Sequence, residues 1–264
     1  MNESIVIVPT YNECNNLPRL LERVRASAPE FDVLVVDDNS PDGTGAIADT
    51  LAAQWPGVHV MHRPGKQGLG RAYVAGFQWA LARGYQYLCE MDADHSHDPA
   101  QLRDLRAAAD RYDLVLGSRY VGGIRVLDWD MKRLLISSFG NWYARAVTRL
   151  PYSDLTGGFK CYARRVLEAI DLENIHSVGY AFQIEMTWWA VQRGFRVGEV
   201  PIIFYGRDKG ETKFSKSIIW EAVFAVWKLR LGLVRNRAPR ALAVTGSGAP
   251  PEEAPPLRAK VQGR

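Results

Sequence analysis

The chain has 264 residues, enough for one large domain or two small ones, and its 47% apolar and 23% charged residues are the balance of a globular protein. Net charge is +4, yet residues 1–110 hold nine Lys and Arg against fifteen Asp and Glu, and the rest hold 24 against 14. An acidic half suits cations and a basic half suits phosphates or an anionic membrane surface, while no stretch approaches the roughly 20 apolar residues of a membrane span.

The elements alternate from the start. Ser4–Val8 reads as a short strand that Pro9 closes, so no secretory leader is expected. Leu17, Leu20, Leu21 and Val24 then recur at helical spacing. Asp32–Val36 is a second strand, followed by a helix near Ala46–Ala53 and a third strand at Val58–His62. After the loop Gly65–Gly70, a helix spans Arg71–Arg83 and a fourth strand Tyr87–Met91. A helix at Ala100–Arg111 and a fifth strand at Leu114–Gly117 complete the series. Apolar strands alternating with helices predict an α/β fold, a parallel sheet covered on both faces that binds ligands at its carboxyl edge.

The remainder is less regular. Lys132–Arg149 and the aromatic-rich Ala181–Gln192 read as helices, Leu155–Tyr162 as extended chain, and Phe195–Phe204 as strand with a bend at Pro201. Ser217–Val234 is amphipathic, with Lys and Arg close by. From Asn236 onward Pro, Gly and Ala dominate, which predicts a disordered tail over 236–264 after a single domain over 1–235. Cys14, Cys89 and Cys161 are scattered without metal spacing, so idle thiols in a reducing, cytoplasmic compartment are expected.

Three strand ends carry polar chemistry. The first runs into Pro9-Thr10-Tyr11-Asn12-Glu13, where an aromatic face can stack on a base and a carboxylate can bond ribose. The second ends in Asp37-Asp38-Asn39-Ser40-Pro41-Asp42, which is more negative charge than a turn needs. The fourth ends in Asp92-Ala93-Asp94. Residues i and i+2 share a face, so both carboxylates can converge on one Mg²⁺ or Mn²⁺ with a phosphate completing the shell. With 16 Asp in the chain the spacing itself arises about once by chance, and Asp128-Trp129-Asp130 repeats it away from any strand. Context singles out Asp92 and Asp94. His95 and His97 flank them without ligand spacing.

PTYNE, VVDDNSPDGT, GLGRAYVAGF, MDADHSHDP, LGSRYV, DLTGGFKCY, GYAFQIEM and the Arg207–Lys213 run follow one another in order over residues 4–234. Together they resemble the dolichol-phosphate (polyprenol-phosphate) mannosyltransferases of the GT-A, family 2 glycosyltransferases. The resemblance implies an inverting, metal-dependent transfer from GDP-mannose to a polyprenyl monophosphate. It places Pro9, Tyr11, Glu13, Val36 and Asp38 around the nucleoside, and Asp92, Ala93 and Asp94 at the diphosphate and metal. Ser96 would complete the metal set, although some relatives carry Gln there. Arg119, Arg207 and Lys213 would hold donor phosphates and, with Asp94, carry catalysis. Arg133 and Ser137 would receive the acceptor phosphate.

The acceptor lipid implies a peripheral contact with the cytoplasmic face of a membrane, for which the Ser217–Arg237 segment is the candidate. A UDP-glucose donor, or a catalytically silent binding subunit, are the alternatives. Nucleic-acid binding is not expected, because the basic residues sit in phosphate-site motifs rather than in a stripe with stacking aromatics.

Overall fold

The computed structural model of the protein describes residues 2–175, 177, 179–206 and 216–237, the last helix by its backbone alone up to residue 222. Seven strands form one sheet in the order β3-β2-β1-β4-β6-β5-β7. The first five are β1 (Ser4–Thr10), β2 (Phe31–Asp37), β3 (Val58–His62), β4 (Tyr87–Glu90) and β5 (Leu114–Ser118). β6 (Lys160–Ala163) and β7 (Val197–Pro201) follow. β6 runs antiparallel between β4 and β5, and every other pairing is parallel.

The strand period divides the core in two. Ile5, Ile7, Leu34, Val36, Leu88, Leu114 and Leu116 point to one face, and Val6, Val8, Val33, Val35, Cys89 and Val115 to the other. The first face packs against α3 (Leu69–Ala82) and α7 (Gly179–Gln192), the second against α1 (Leu17–Ser27) and α4 (Leu102–Ala108). Burying each of these side chains contributes roughly 1.5–3 kcal/mol. In α3, a Cβ at Gly76 would stand 2.6 Å from the Ile7 side chain, so only glycine lets this helix lie so close to β1.

Helix α2 (Thr44–Gln54) follows β2, and the short α6 (Arg164–Ala169) follows β6. A third cluster joins α7 to α5 (Met131–Thr148) and α8 (Lys216–Arg230) through Ala144, Leu155, Ile184, Trp188, Val226 and Leu229. Among the described residues no helix is long and apolar enough to cross a membrane.

Several expectations change. The helix expected over Ala100–Arg111 is a 3₁₀ turn at Pro99–Gln101 followed by the shorter α4. Most of Leu155–Tyr162 is a loop rather than extended chain, and only Lys160 onward pairs in the sheet. Side chains of α5 and β7 hold that loop in place of a strand ladder. Asn141 Oδ1 accepts from the Leu155 and Thr156 amides, and Glu199 accepts from those of Ser153 and Asp154. Asn236, which composition assigns to the tail, is docked: it donates to the Asp171 carbonyl, accepts from the Asp171 amide, and receives Arg193 Nη2 at 2.6 Å. The rest of the tail, from residue 238, lies outside the described residues.

Candidate active site

The carboxyl ends of β1, β2 and β4 meet because these strands are adjacent and parallel. Positive-φ residues turn the chain in the loop after each: Asn12, Asn39 and His95. Asn and His are among the non-glycine residues that most often adopt this region.

On the β1–β2 side the carboxylates organise the loops. Asp37 Oδ1 accepts from Thr10 Oγ1 at 3.0 Å and Ser40 Oγ at 2.6 Å. Asp42 accepts from the Thr44 hydroxyl and amide and from the Cys14 amide. Burial pushes the Asp42 carboxyl up, but these hydrogen bonds outweigh it and bring it down to about 2. The repulsion that singled out this loop in the sequence is therefore relieved by donors within the loop and at the start of α2, Ser40 and Thr44, and by Thr10 and Cys14 from β1 and the loop after it.

Asp38 is buried, and Arg63 Nη1 reaches it at 2.5 Å. Burial still raises its pKa in spite of Arg63. Tyr11 lies under Lys66, whose Nζ is 4.2 Å from the ring centroid. Arg63 and Lys66 come from the loop after β3, which sequence reasoning passed over because neither sits in a polar strand-end motif. Glu13 Oε2 accepts from Asn16 Nδ2 at 2.7 Å. Pro9 is half-buried opposite Val36 in the ladder. Val36 is fully buried within the core, between Pro9 of β1 and Met61 of β3 in the ladder.

Asp92 and Asp94 lie just beyond β4, both half-buried, with Ala93 between them packed in the core. Ser96 does not stand beside them as a third open oxygen. It is fully buried, and its hydroxyl and amide both donate to Asp94 Oδ1, at 2.5 and 3.1 Å. Among the described residues no group of three His, Cys, Asp or Glu side chains could hold a metal. Two carboxylates at one edge are an oxygen-only set, which fits Mg²⁺ or Mn²⁺ when diphosphate oxygens and water complete the shell. Tyr73 Oη donates to Asp92 Oδ1 at 3.4 Å from the core side.

Beyond Asp92 opens a cavity of about 430 Å³. One wall is polar: Asp92, Arg119, Thr156, Gly157, Gly158 and Gln183. The other comes from α5, α7 and α8, with Ile136, Phe139, Tyr143, Ile184, Val223 and Val226. Trp129, Arg133 and Ser137 lie between.

Arg119 is committed more deeply than expected. Its Nε and Nη2 reach both oxygens of Asp154, at 2.6 and 2.7 Å, and Nη2 also donates to Thr156. Burial opposes both charges, but the pairing outweighs it, so Asp154 stays below the usual carboxylate range and Arg119 stays charged. Its guanidinium forms a cavity wall as a fixed cation. Arg133 packs over Trp129, 4.3 Å from the ring centroid, and Ser137 Oγ accepts from Tyr120 Oη at 2.7 Å. Both expected acceptor residues thus face one cavity, one turn apart on α5. Arg207 and Lys213 lie outside the described residues.

Behind the polar wall, burial pushes the Glu90 carboxyl up to about 7, against the pull of Lys160, Gln183 and Tyr162. Lys160 is itself buried and donates to the Gln183 carbonyl at 2.7 Å and to Thr187 Oγ1 at 3.0 Å.

Known proteins match this arrangement. The family model described as Glycosyl transferase family 2 matches residues 5–171. A polyprenol monophosphomannose synthase of Mycolicibacterium smegmatis is 51% identical over 238 residues, 89% of this chain and 90% of the relative. An undecaprenyl-phosphate mannosyltransferase of Micrococcus luteus is also 51% identical, over 84% of this chain and 91% of its own. Among solved structures, glucosyl-3-phosphoglycerate synthase from Mycobacterium tuberculosis, in complex with Mn²⁺, UDP and phosphoglyceric acid, superposes with a TM-score of 0.63. It covers 87% of this chain and 78% of its own at 16% identity, a likeness of fold. A carboxyl-edge acidic pair on a mixed α/β sheet, and a match across most of the domain, have one conclusion: the chain is a glycosyltransferase and belongs to glycosyl transferase family 2.

Proposed function

We propose that the protein transfers mannose from GDP-mannose to a polyprenyl monophosphate, with inversion, giving polyprenyl-phosphate mannose and GDP. The observation that carries this reading is the cavity that joins Asp92 to an apolar wall between α5 and α8. A sugar-nucleotide end and a lipid end meet in it. The names of the two relatives at 51% identity point to the same acceptor class.

In the reaction an oxygen of the acceptor phosphate attacks the anomeric carbon as that carbon's bond to the diphosphate breaks, and the electron pair leaves with GDP. A phosphate monoester has its second pKa near 6, so it is largely dianionic at neutral pH and needs no general base. The site accordingly has no need of a catalytic His. His97 is buried, stacked on Phe159 with centroids 4.7 Å apart, as a core residue would be. Asp92 and Asp94 would hold Mg²⁺ or Mn²⁺, which stabilises the charge of the leaving diphosphate when bound. Ser96 fixes the Asp94 carboxylate. Asp38, Glu13 and Tyr11 would bind the nucleoside, and Arg119, held by Asp154, would offer its remaining N–H donors to a donor phosphate. Arg133 and Ser137 would take the acceptor phosphate, and Arg207 and Lys213 the donor diphosphate.

The lipid reading has a second support outside the cavity. On α5, Met131, Leu135, Ile136, Phe139 and Trp142 are exposed, with Trp142 at 61%. On and after α8, Phe224, Trp227, Leu231 and Leu233 are exposed beside Lys228, Arg230 and Arg235. An apolar face rimmed by cations fits an interfacial contact with anionic lipid. The expectation named only the second segment; α5 adds to it. Trp220's side chain lies outside the described residues.

The test is direct. Purified protein is incubated with labelled GDP-mannose, or with UDP-glucose, polyprenyl phosphate and Mg²⁺, and the lipid phase is counted. Label from GDP-mannose supports the proposal. Label only from UDP-glucose moves it to another donor.

A further inference from the structure

Gln183, on the buried side of α7, is 2% exposed; its side-chain amide lies against the Glu90 carboxyl, whose pKa it lowers, yet no described residue stands within hydrogen-bond distance of either amide atom. An amide buried this deeply is ordinarily paired. Its root is fixed, because the Gln183 carbonyl accepts from both Lys160 Nζ and Thr187 Oγ1. The residue lines the cavity beside Asp92.

Gly158 keeps the space between them open. A Cβ there would stand 3.5 Å from Gln183 Nε2 and 3.7 and 3.8 Å from the two Asp92 oxygens. An amide and a carboxylate therefore flank a small gap that any side chain at 158 would fill. A carboxamide offers a donor and an acceptor. A sugar hydroxyl offers both as well, and an apolar prenyl chain offers neither.

We infer that Gln183 reads a hydroxyl of the transferred sugar in the gap above Gly158, opposite Asp92, and so determines which sugar the enzyme accepts. The inference rests on the proposed transfer from a nucleotide sugar. A site built to bond a hydroxyl discriminates strongly against the analogue that lacks it, because its own buried polar groups are then left unpaired.

The experiment compares kcat/KM for GDP-mannose and its 2-, 3-, 4- and 6-deoxy analogues in the wild type, Gln183→Leu and Gly158→Ala. In the wild type one analogue should fall by about 100-fold or more relative to GDP-mannose. In Gln183→Leu that same analogue should be used about as well as GDP-mannose, within about threefold, while the other ratios stay at wild-type values. A general loss of packing would scale all donors together. A folded Gln183→Leu that keeps every wild-type ratio overturns the inference. If that variant fails to fold, Gly158→Ala decides, since its Cβ meets only ordinary contacts. Lower kcat/KM at an unchanged thermal midpoint supports the cradle, and unchanged kcat/KM overturns it. A wild type that uses another nucleotide sugar refutes the mannose donor alone, and the deoxy series of that sugar then tests Gln183 in the same way. Activity with no nucleotide sugar ends both.

Discussion

The two sides of the sheet's carboxyl edge solve opposite problems. On the β1–β2 side, Asp37, Asp42 and Asp38 are bonded by Thr10, Ser40, Thr44 and Arg63, so the loops are set before any ligand arrives. On the α5–α8 side an apolar face rimmed by Lys and Arg is exposed, with Phe139 and Trp142 paired at 5.5 Å between ring centroids. A ligand rich in hydrogen-bonding groups rewards preorganised polar atoms. A long hydrocarbon offers only area, and an apolar face suffices for it.

The sharpest way to break this comparison is at the acidic pair. Asp94→Ala removes the carboxylate that Ser96 holds, and sugar transfer should fall by about 1,000-fold or more, because metal-assisted charge stabilisation contributes several kcal/mol. The half-buried site should keep its thermal midpoint. Full transfer in EDTA would remove the metal from the scheme.

Next is the ion pair in the cavity wall. Asp154→Asn leaves Arg119 buried without its counter-charge and should cost about 3–5 kcal/mol in urea unfolding. Because the Asp154 pKa is depressed in the folded state, its stabilisation is present above the ordinary value of 3.8 and is lost as pH falls through the folded value. The difference between wild type and variant should therefore shrink in strong acid. A difference that holds constant down to pH 2 would show that the pair contributes no charge-dependent stability.

The apolar side is probed by Phe139→Ser/Trp142→Ser. Both residues are exposed, so the unfolding midpoint should hardly move, while co-sedimentation with anionic vesicles should drop about tenfold. Wild-type binding should weaken with salt but persist, since the apolar part is unscreened. Binding equal to wild type would place the contact elsewhere. Trp227→Ala tests α8 in the same assay.

The smallest effect is expected at Asp42→Ala. It frees the Thr44 and Cys14 donors and should raise KM for the donor nucleotide several-fold with kcat nearly unchanged. A kcat loss larger than the KM change would mean that this loop touches the reacting centre.

Much of this was legible in the chain. Strand-period Ile, Val and Leu residues specify which faces are buried, and polar runs placed after Val8, Val36 and Met91 mark the carboxyl edge, because consecutive βα units must wind the same way. Asp92 and Asp94 share a side by spacing alone. Long-range partners were not legible. Nothing local in Arg119 tells that Asp154, 35 residues on, takes its guanidinium, nor in Tyr73 that its hydroxyl reaches Asp92.

Local sequence by itself determined the alternating elements, the two-faced core and the acidic edge, since helix and strand periods act over a few residues. Tertiary structure alone decided that β6 inserts antiparallel between β4 and β5, carrying Lys160 into the core under Gln183. It also decided that α5 and α8 pair and leave Phe139, Trp142, Phe224 and Trp227 outward. Both outcomes depend on which distant surfaces exclude water from one another, and a partner far along the chain leaves no trace in local periodicity.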